Sequence, residues 1–176
     1  TDPSCCVLNV GEGDLMNRSF LYECLATWFG LGYAPVASGT FGTLGGVLLA
    51  ALALLFVPAY FLIGMVTLAI FLTLVAIPVG TWAEKRWAKK DPGTFVLDEV
   101  AGYLVAVAWP VAPGWIHLVV AFFLFRLTDI VKPWPARQME QFGGGFGIVM
   151  DDIMAGLWAL LGMILLHQFL PQIFFV

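Results

Sequence analysis

Seven charged side chains interrupt otherwise apolar stretches of this chain: Asp98, Glu99, Arg126, Asp129, Lys132, Asp151 and Asp152. An ionised side chain in a bilayer costs ~3 kcal/mol or more, so five carboxylates in such positions indicate a functional demand. Arg126, Asp129 and Lys132 recur every third residue, which places them along one side of a helix. Asp151 and Asp152 are adjacent, so their side chains diverge by about 100° and at most one points straight into a given site.

These residue types favour phosphoryl chemistry assisted by a metal ion. Carboxylates without a neighbouring histidine or thiolate are hard oxygen ligands, which suit Mg²⁺. Cationic side chains beside them would bind phosphate oxygens. Metal and cations together would act on a phosphate ester at the membrane surface.

The run SGTFGT at residues 38–43 is a candidate phosphate cradle. Backbone N–H groups of Gly39 and Gly42 near a helix N-terminus would bind phosphate oxygens. Hydroxyl groups would come from Ser38, Thr40 and Thr43. The run is a weak signal by itself, because glycines ahead of a membrane helix also serve close packing.

Each charged residue also has a structural interpretation. Asp98 and one of Asp151 or Asp152 would cap helix N-termini. Arg126 and Asp129 would form an i,i+3 ion pair, and Lys132 would anchor in lipid headgroups. Caps do not require five carboxylates on one side, so the set as a whole favours a functional site.

Other phosphatase mechanisms lack their residues in this sequence. His117 opens one apolar segment and His167 closes another, so both fall at the ends opposite to the carboxylates. A C-x5-R loop, a D-x-D-x-[TV] motif and the carboxylate spacing of CDP-alcohol phosphotransferases are all absent. Cys5, Cys6 and Cys24 form no C-x2-C pair, which excludes the usual zinc and redox motifs. The mechanism that remains is hydrolysis by a water molecule that a metal ion activates.

Composition predicts a membrane environment. Hydrophobic residues make up 61% of the 176 residues and charged residues 11%, and the mean hydropathy is +0.93. An ordinary soluble domain has roughly 25% charged residues, so most of this chain's exterior is predicted to face lipid. Without the acidic residues near the N-terminus, the net charge of −4 falls close to neutral, and no nucleic-acid partner is predicted.

The apolar segments predict an all-α fold, a multi-pass membrane bundle of about five transmembrane helices. The predicted spans lie near residues 43–57, 60–83, 95–109, 115–131 and 148–170. An interfacial helix within 20–37 precedes them. Residues 1–19 are predicted to be an extension with little regular structure, in which Met16 could be a natural start, and 20–176 to be one membrane-embedded domain.

Lysine and arginine predict the orientation. The turns at Pro58 and Pro110–Gly114 carry none, whereas the loops at 84–93 and 132–147 carry Lys85, Arg86, Lys89, Lys90, Lys132 and Arg137. Positive residues favour the cytoplasm. Both loops and all seven charged residues are therefore predicted on the cytoplasmic face, with the C-terminus outside.

Four blocks of the sequence resemble the phosphatidylglycerophosphatase A family. They are GLGYAPVASGTFGTLGG at 30–46, VLDEVAGY at 96–103, FRLTDIVKPWPAR at 125–137 and GGFGIVMDDIMAG at 144–156. They occur in the family's order and at its spacing, and they cover nearly everything after residue 28. The third and fourth blocks are highly specific.

The resemblance implies a Mg²⁺-dependent phosphatase of the bacterial inner membrane that converts phosphatidylglycerophosphate to phosphatidylglycerol and inorganic phosphate. Its implied partners are that phospholipid and the bilayer, and no protein partner can be inferred. The implied catalytic residues are Asp98, Glu99, Asp129, Asp151 and Asp152. Asp98, Asp129 and Asp152 are the first choices as metal ligands, with Glu99 or Asp151 as a further ligand or general base. The implied phosphate-binding residues are Ser38, Gly39, Thr40, Thr43, Arg126, Lys132 and Arg137.

Two positions depart from the family pattern. The family often has proline where Ser38 stands, and histidine where Gly143 stands. If that histidine is a general acid elsewhere, this chain does without it.

Two rival functions stay open. One rival is the same chemistry on another lipid or isoprenoid phosphate. The other is a small cation transporter or channel, which should carry its charged residues near the membrane midplane.

The predicted orientation can be tested by cysteine labelling in a background without native cysteines. A cysteine within residues 84–93 should resist an impermeant thiol reagent in intact cells, and one within 111–114 should react, because lysine and arginine concentrate in the former loop. The reverse pattern would place the acidic residues outside.

Overall fold

The computed structural model describes residues 19–139 and 141–171, and every regular element in those ranges is helical. Helix α1 covers residues 19–26 and a 3₁₀ turn follows at Leu31–Tyr33. The remaining helices are α2 (Ser38–Phe56), a 3₁₀ turn (Pro58–Tyr60), α3 (Phe61–Trp87), α4 (Leu97–Val107), α5 (Trp115–Val131), α6 (Ala136–Met139) and α7 (Gly144–Phe169). The predicted all-α class is confirmed. Residues 1–18 of the predicted extension lie outside the described ranges.

Within the described residues, three segments are long and apolar enough to cross a membrane: α2, Pro58–Trp87 and α7. Helix α5 has 17 residues and covers about 25 Å at 1.5 Å per residue, slightly less than the ~30 Å hydrocarbon core of a bilayer. Helix α4 has 11 residues and covers only about 16 Å. All five predicted apolar segments are therefore helical, while the described structure supports three complete spans.

Helix α4 is an internal helix. Nine of its 11 residues are buried, and it packs against α2, α3, α5 and α7. After its two acidic residues the helix is apolar on every side, which is typical of such a buried position. The predicted third span, 95–109, is thus a short helix enclosed by longer ones.

The exterior of the bundle is apolar, as the composition predicted. Large side chains that expose half or more of their surface include Leu48 of α2, Leu74 of α3, Phe123 of α5 and Leu165 of α7. Such a surface on four helices is far larger than the apolar patches of soluble monomers. The natural surroundings of this surface are lipid acyl chains.

Helices α4 and α7 approach each other closely at two glycines. A Cβ atom added to Gly156 would lie 2.3 Å from the carbonyl oxygen of Gly102, and one added to Gly102 would lie 2.7 Å from the carbonyl oxygen of Asp152. Small residues at such crossings let helix backbones approach closely in membranes. The sequence analysis does not single out Gly156. The contact brings the start of α4 beside the acidic stretch of α7.

Hydrogen bonds between helices fix their positions relative to one another along the bundle axis. The Tyr103 hydroxyl of α4 donates to the Leu118 carbonyl of α5 at 2.9 Å, and the Thr128 hydroxyl of α5 donates to the Ala155 carbonyl of α7 at 2.9 Å. The Gly145 N–H of α7 donates to the Thr81 hydroxyl of α3 at 3.0 Å. A polar group that loses its hydrogen-bond partner in an apolar interior raises the free energy of the fold. These hydrogen bonds therefore oppose any shift of one helix along its axis relative to the next.

Substitution of Gly156 by alanine should destabilise the bundle, because the added methyl group would meet the Gly102 carbonyl at 2.3 Å. Overpacking of this kind costs about 1–3 kcal/mol. Gly64→Ala on α3 is the matched control, since its added Cβ would have no atom within 4 Å. Thermal unfolding in detergent should show a lower Tm for Gly156→Ala only, and equal Tm values for the two variants would contradict the packing argument.

Candidate active site

Three carboxylates converge where α4 begins beside α7. Asp98 and Glu99 lie in the first turn of α4, and Asp152 lies in the third turn of α7. One ligand atom from each lies within 4.8 Å of the others. The N-cap of α4 is Val96, but Asp98 satisfies one free N–H of the first turn, since its Oδ1 accepts the backbone N–H of Glu99 at 3.0 Å. The structural and functional interpretations of Asp98 are therefore compatible.

The three carboxylates would repel one another strongly if all were ionised. Asp98 is 4% exposed and Asp152 is 5% exposed. Two unit charges at 4.8 Å repel by roughly 3 kcal/mol at an effective dielectric of ~20. The Oε2 atom of Glu99 is buried and has no hydrogen-bond partner in the described part of the chain. Such an arrangement provides a strong electrostatic reason to take up a cation.

Arg126 and Asp129 at the end of α5 adjoin these carboxylates. Arg126 Nη1 donates to Asp129 Oδ2 at 2.7 Å, which is the i,i+3 ion pair of the structural interpretation. Asp129 is an electrostatic neighbour of Asp152. The pair thus lies beside the proposed metal ligands and holds the guanidinium there.

The beginning of α2 completes this side of the site through Gly39. A Cβ atom at Gly39 would lie 2.3 Å from Oε1 of Glu99 and 3.0 Å from Nη1 of Arg126. Any other residue would displace one of these side chains. The glycine therefore lets α2, α4 and α5 meet at one point.

Asp151 and Asp152 point in different directions, as helical geometry requires. Asp152 joins the three-carboxylate group, whereas Asp151 Oδ2 accepts a hydrogen bond from Lys132 Nζ at 2.6 Å. The second oxygen of Asp151, Oδ1, is buried without a hydrogen-bond partner among the described residues. Lys132 has a positive φ of 46° at the C-cap of α5, and the turn of the chain there brings its amine to Asp151.

The predicted cradle at residues 38–43 forms the first turns of α2. The Ser38 hydroxyl donates to the Gly93 carbonyl, and the buried Thr43 hydroxyl donates to the Gly39 carbonyl at 2.8 Å. Both hydroxyls are therefore engaged with backbone, while Thr40 is half-buried. The first N–H groups of a helix have no intrahelical acceptor, so the backbone part of the prediction keeps its physical basis.

Two further groups lie away from the carboxylates. Arg137 is exposed on α6, and no hydrogen bond or ion pair joins it to the described carboxylates. His117 and His167 meet each other at 3.0 Å between ring nitrogens, and Trp109 stacks on His167 with ring centroids 4.1 Å apart. The histidines lie at the start of α5 and the end of α7, the ends opposite to the carboxylates.

Asp91 is a neighbour of the site that the sequence patterns did not reveal. This residue is an electrostatic neighbour of Asp98, Glu99 and Asp151. The chain turns at Ala88 and Asp91, which have φ values of 48° and 49°, and so leads back from the end of α3 to the site. An aspartate seven residues before Asp98 was the available signal, but it stood within a dense run of loop charges.

Residues 24–167 match the sequence profile of the family described as phosphatidylglycerophosphatase A. The chain belongs to the phosphatidylglycerophosphatase A family. A phosphatidylglycerophosphatase is by definition a phosphomonoester hydrolase, so membership places this chain among lipid phosphatases. The family suggested by the four sequence blocks is confirmed.

Curated bacterial relatives cover most of the chain. A Bacteroides thetaiotaomicron protein, whose name proposes phosphatidylinositol-3-phosphatase activity, is 38% identical over 152 residues, covering 80% of this chain and 90% of its own. Phosphatidylglycerophosphatase A of Haemophilus influenzae is 34% identical, covering 78% of this chain and 83% of its own. Phosphatidylglycerophosphatase A of Escherichia coli is 29% identical, with 77% coverage of each. No solved structure gives a significant match.

The two adjacent aspartates should differ in their effect on phosphatase activity. Asp152→Asn should cause the larger loss, because Asp152 lies within 4.8 Å of Asp98 and Glu99. Asp151→Asn should lower activity less, by about 100-fold, because Asp151 is paired with Lys132 and lies outside the three-carboxylate group, whether it orients the site or accepts a proton. Phosphate release by purified variants would measure both effects.

Glu84→Gln, which removes a carboxylate near the end of α3, is the matched control for these aspartate variants and should keep full activity. All variants should elute as folded protein in size-exclusion chromatography. A larger loss for Asp151→Asn than for Asp152→Asn would show that the roles are reversed.

Proposed function

We propose that this chain is a Mg²⁺-dependent phosphatase that hydrolyses the phosphomonoester of phosphatidylglycerophosphate to phosphatidylglycerol and inorganic phosphate. The observation that carries the proposal is the grouping of Asp98, Glu99 and Asp152 within 4.8 Å of one another. Arg126 lies beside this group. A cation site next to a guanidinium suits a phosphate monoester, whose oxygens need both.

The residues of the site fit Mg²⁺. Their ligand atoms are all carboxylate oxygens, which this hard cation prefers. Asp98, Glu99 and Asp152 would hold the ion, and Asp129, next to Asp152, would be a further ligand or orient one. When bound, the ion supplies positive charge that stabilises the negative charge developing on the phosphoryl group.

The other groups position the substrate and move a proton. Arg126, held by Asp129 at 2.7 Å, would bind phosphate oxygens in a fixed orientation. The first N–H groups of α2 would add neutral donors on the same side. Glu99 and Asp151 each have one buried oxygen without a hydrogen-bond partner among the described residues. Either oxygen would serve as the general base that accepts a proton from the attacking water.

The proposed location is the inner membrane of a bacterium, with the site on the cytoplasmic face and the C-terminus outside. The apolar exterior and the bacterial relatives support a membrane enzyme. The concentration of lysine and arginine in the loops next to the site supports the cytoplasmic orientation. Carboxylates at one end of the bundle favour surface chemistry over the transporter alternative, which would need them near the midplane.

A second candidate substrate comes from the relative in Bacteroides thetaiotaomicron, whose name proposes phosphatidylinositol-3-phosphatase activity. It is 38% identical to this chain. Both lipids offer a phosphomonoester on a diacylglycerol headgroup, so both suit the same carboxylates and Arg126. Two relatives named phosphatidylglycerophosphatase A and the family itself favour phosphatidylglycerophosphate.

A substrate panel with purified protein in mixed micelles tests this proposal. Phosphate release should be fastest from phosphatidylglycerophosphate, slower from phosphatidylinositol 3-phosphate, phosphatidate and an isoprenoid phosphate, and absent in excess EDTA because the carboxylates need their cation. Added Mg²⁺ should restore the rate.

Full activity in EDTA would contradict the metal mechanism, and a preference for another lipid would replace the proposed substrate. Cation flux in proteoliposomes without any hydrolysis would favour the transporter alternative.

A further inference from the structure

A pocket with several polar side chains in its wall lies next to the first turn of α2. It has a volume of about 410 Å³, and its walls include Tyr33, Ser38, Trp87, Lys89 and Thr94. We call it the Lys89 pocket. The loop between α3 and α4 forms one side of it, and the segment that leads into α2 forms the other.

The pocket and the carboxylate group are neighbours along α2. Ser38 lines the pocket, and the next residue, Gly39, faces Glu99 and Arg126. Adjacent Cα atoms are 3.8 Å apart, so only the first turn of α2 separates the two sites. The hydrogen bond from Ser38 to the Gly93 carbonyl attaches the loop to α2 at this boundary.

The charge of the Lys89 pocket is opposite to that of the carboxylate group. Its described wall contains the cation of Lys89 and no aspartate or glutamate. Tyr33 adds no negative charge, because its hydroxyl donates to the Glu23 carboxylate and that hydrogen bond raises the pKa of Tyr33. An anion is therefore the ligand that this wall favours.

The pocket wall also contains an unused hydrogen-bond donor. The Oγ1 atom of Thr94 is buried and has no partner within the described residues. Native proteins rarely leave a buried hydroxyl group unpaired. A phosphate oxygen accepts bonds from both a hydroxyl and an ammonium group, so one ligand would satisfy Thr94 and Lys89 together.

We infer that the Lys89 pocket binds a second phosphate group next to the one that is hydrolysed. This inference rests on the proposed function. Two sources offer the same chemistry: the phosphodiester of the substrate's own headgroup, and inorganic phosphate leaving the active site. If the headgroup is the source, the pocket selects lipids with two phosphates, such as phosphatidylglycerophosphate, over phosphatidate, which has one.

Kinetics of Lys89→Gln separate the two sources. With a headgroup ligand, the KM for phosphatidylglycerophosphate should rise about tenfold, since each 1.4 kcal/mol of lost binding is a factor of ten, while kcat and the KM for phosphatidate stay unchanged. With free phosphate as the ligand, product inhibition should weaken for both substrates. Lys89→Arg should restore the wild-type behaviour in either case.

Lys85→Gln is the matched control, because it removes the same charge from an exposed position near the end of α3 that does not line the pocket. Thr94→Val is the second variant. The Thr94 hydroxyl has no hydrogen-bond partner among the described residues, so its replacement by a methyl group should cost little stability. Thr94→Val should therefore keep the Tm and still weaken phosphate binding.

Titration of the full-length protein with inorganic phosphate in excess EDTA gives a readout without catalysis. Binding should be weaker for Lys89→Gln and Thr94→Val than for wild type and Lys85→Gln. Unchanged titration together with unchanged KM and product inhibition would overturn the inference. If wild type binds phosphate at this pocket but hydrolyses no phospholipid, the proposed function fails and the phosphate site stands.

Discussion

The repulsion among Asp98, Glu99 and Asp152 is the constraint on which the rest of the structure depends. Carboxylates within 4.8 Å of one another in a buried site stay together only if the helices that carry them cannot separate. The contact of Gly102 with Gly156 and the Thr128 hydrogen bond to α7 supply that rigidity. The surrounding cations offset this repulsion only in part, because Arg126, which lies beside Glu99, is also paired with Asp129, and Lys132 is paired with Asp151.

The sequence predicts this fold where local composition decides it. Helix α5 has the predicted bounds, Trp115–Val131, because Gly114 and Lys132 mark its ends. The central position of α4 was not predicted, since an apolar residue that faces lipid and one that faces another helix have the same hydropathy. Its 11 residues are bounded by non-helical backbone angles at Val96 and Ala108, which hydropathy does not detect. The first predicted span begins near residue 43, yet α2 begins at Ser38, because the glycines that precede the apolar run are buried in helical contacts.

The candidate site shows the same division. Helical spacing requires Asp151 and Asp152 to diverge, but which one joins Asp98 depends on the rotation of α7 about its axis. That rotation is set by contacts such as that of Gly145 with α3, and α3 is far from the aspartates in sequence. Asp91 escaped prediction because positive φ angles at Ala88 and Asp91 direct the loop towards the site, and these residue types give little sign of such angles.

The shortness of α4 has a consequence for how the protein enters the membrane. About 16 Å of helix with two charged residues in its first turn cannot partition into lipid by itself. It must enter together with α3 and α5, which flank it in the chain. Asp98 and Glu99 therefore meet Asp152 only after α7, which follows α4 and α5 in the chain, has joined the others. The acidic site is thus incomplete until α7 is in place, and a chain truncated before α7 would leave two carboxylates in the membrane without their partner.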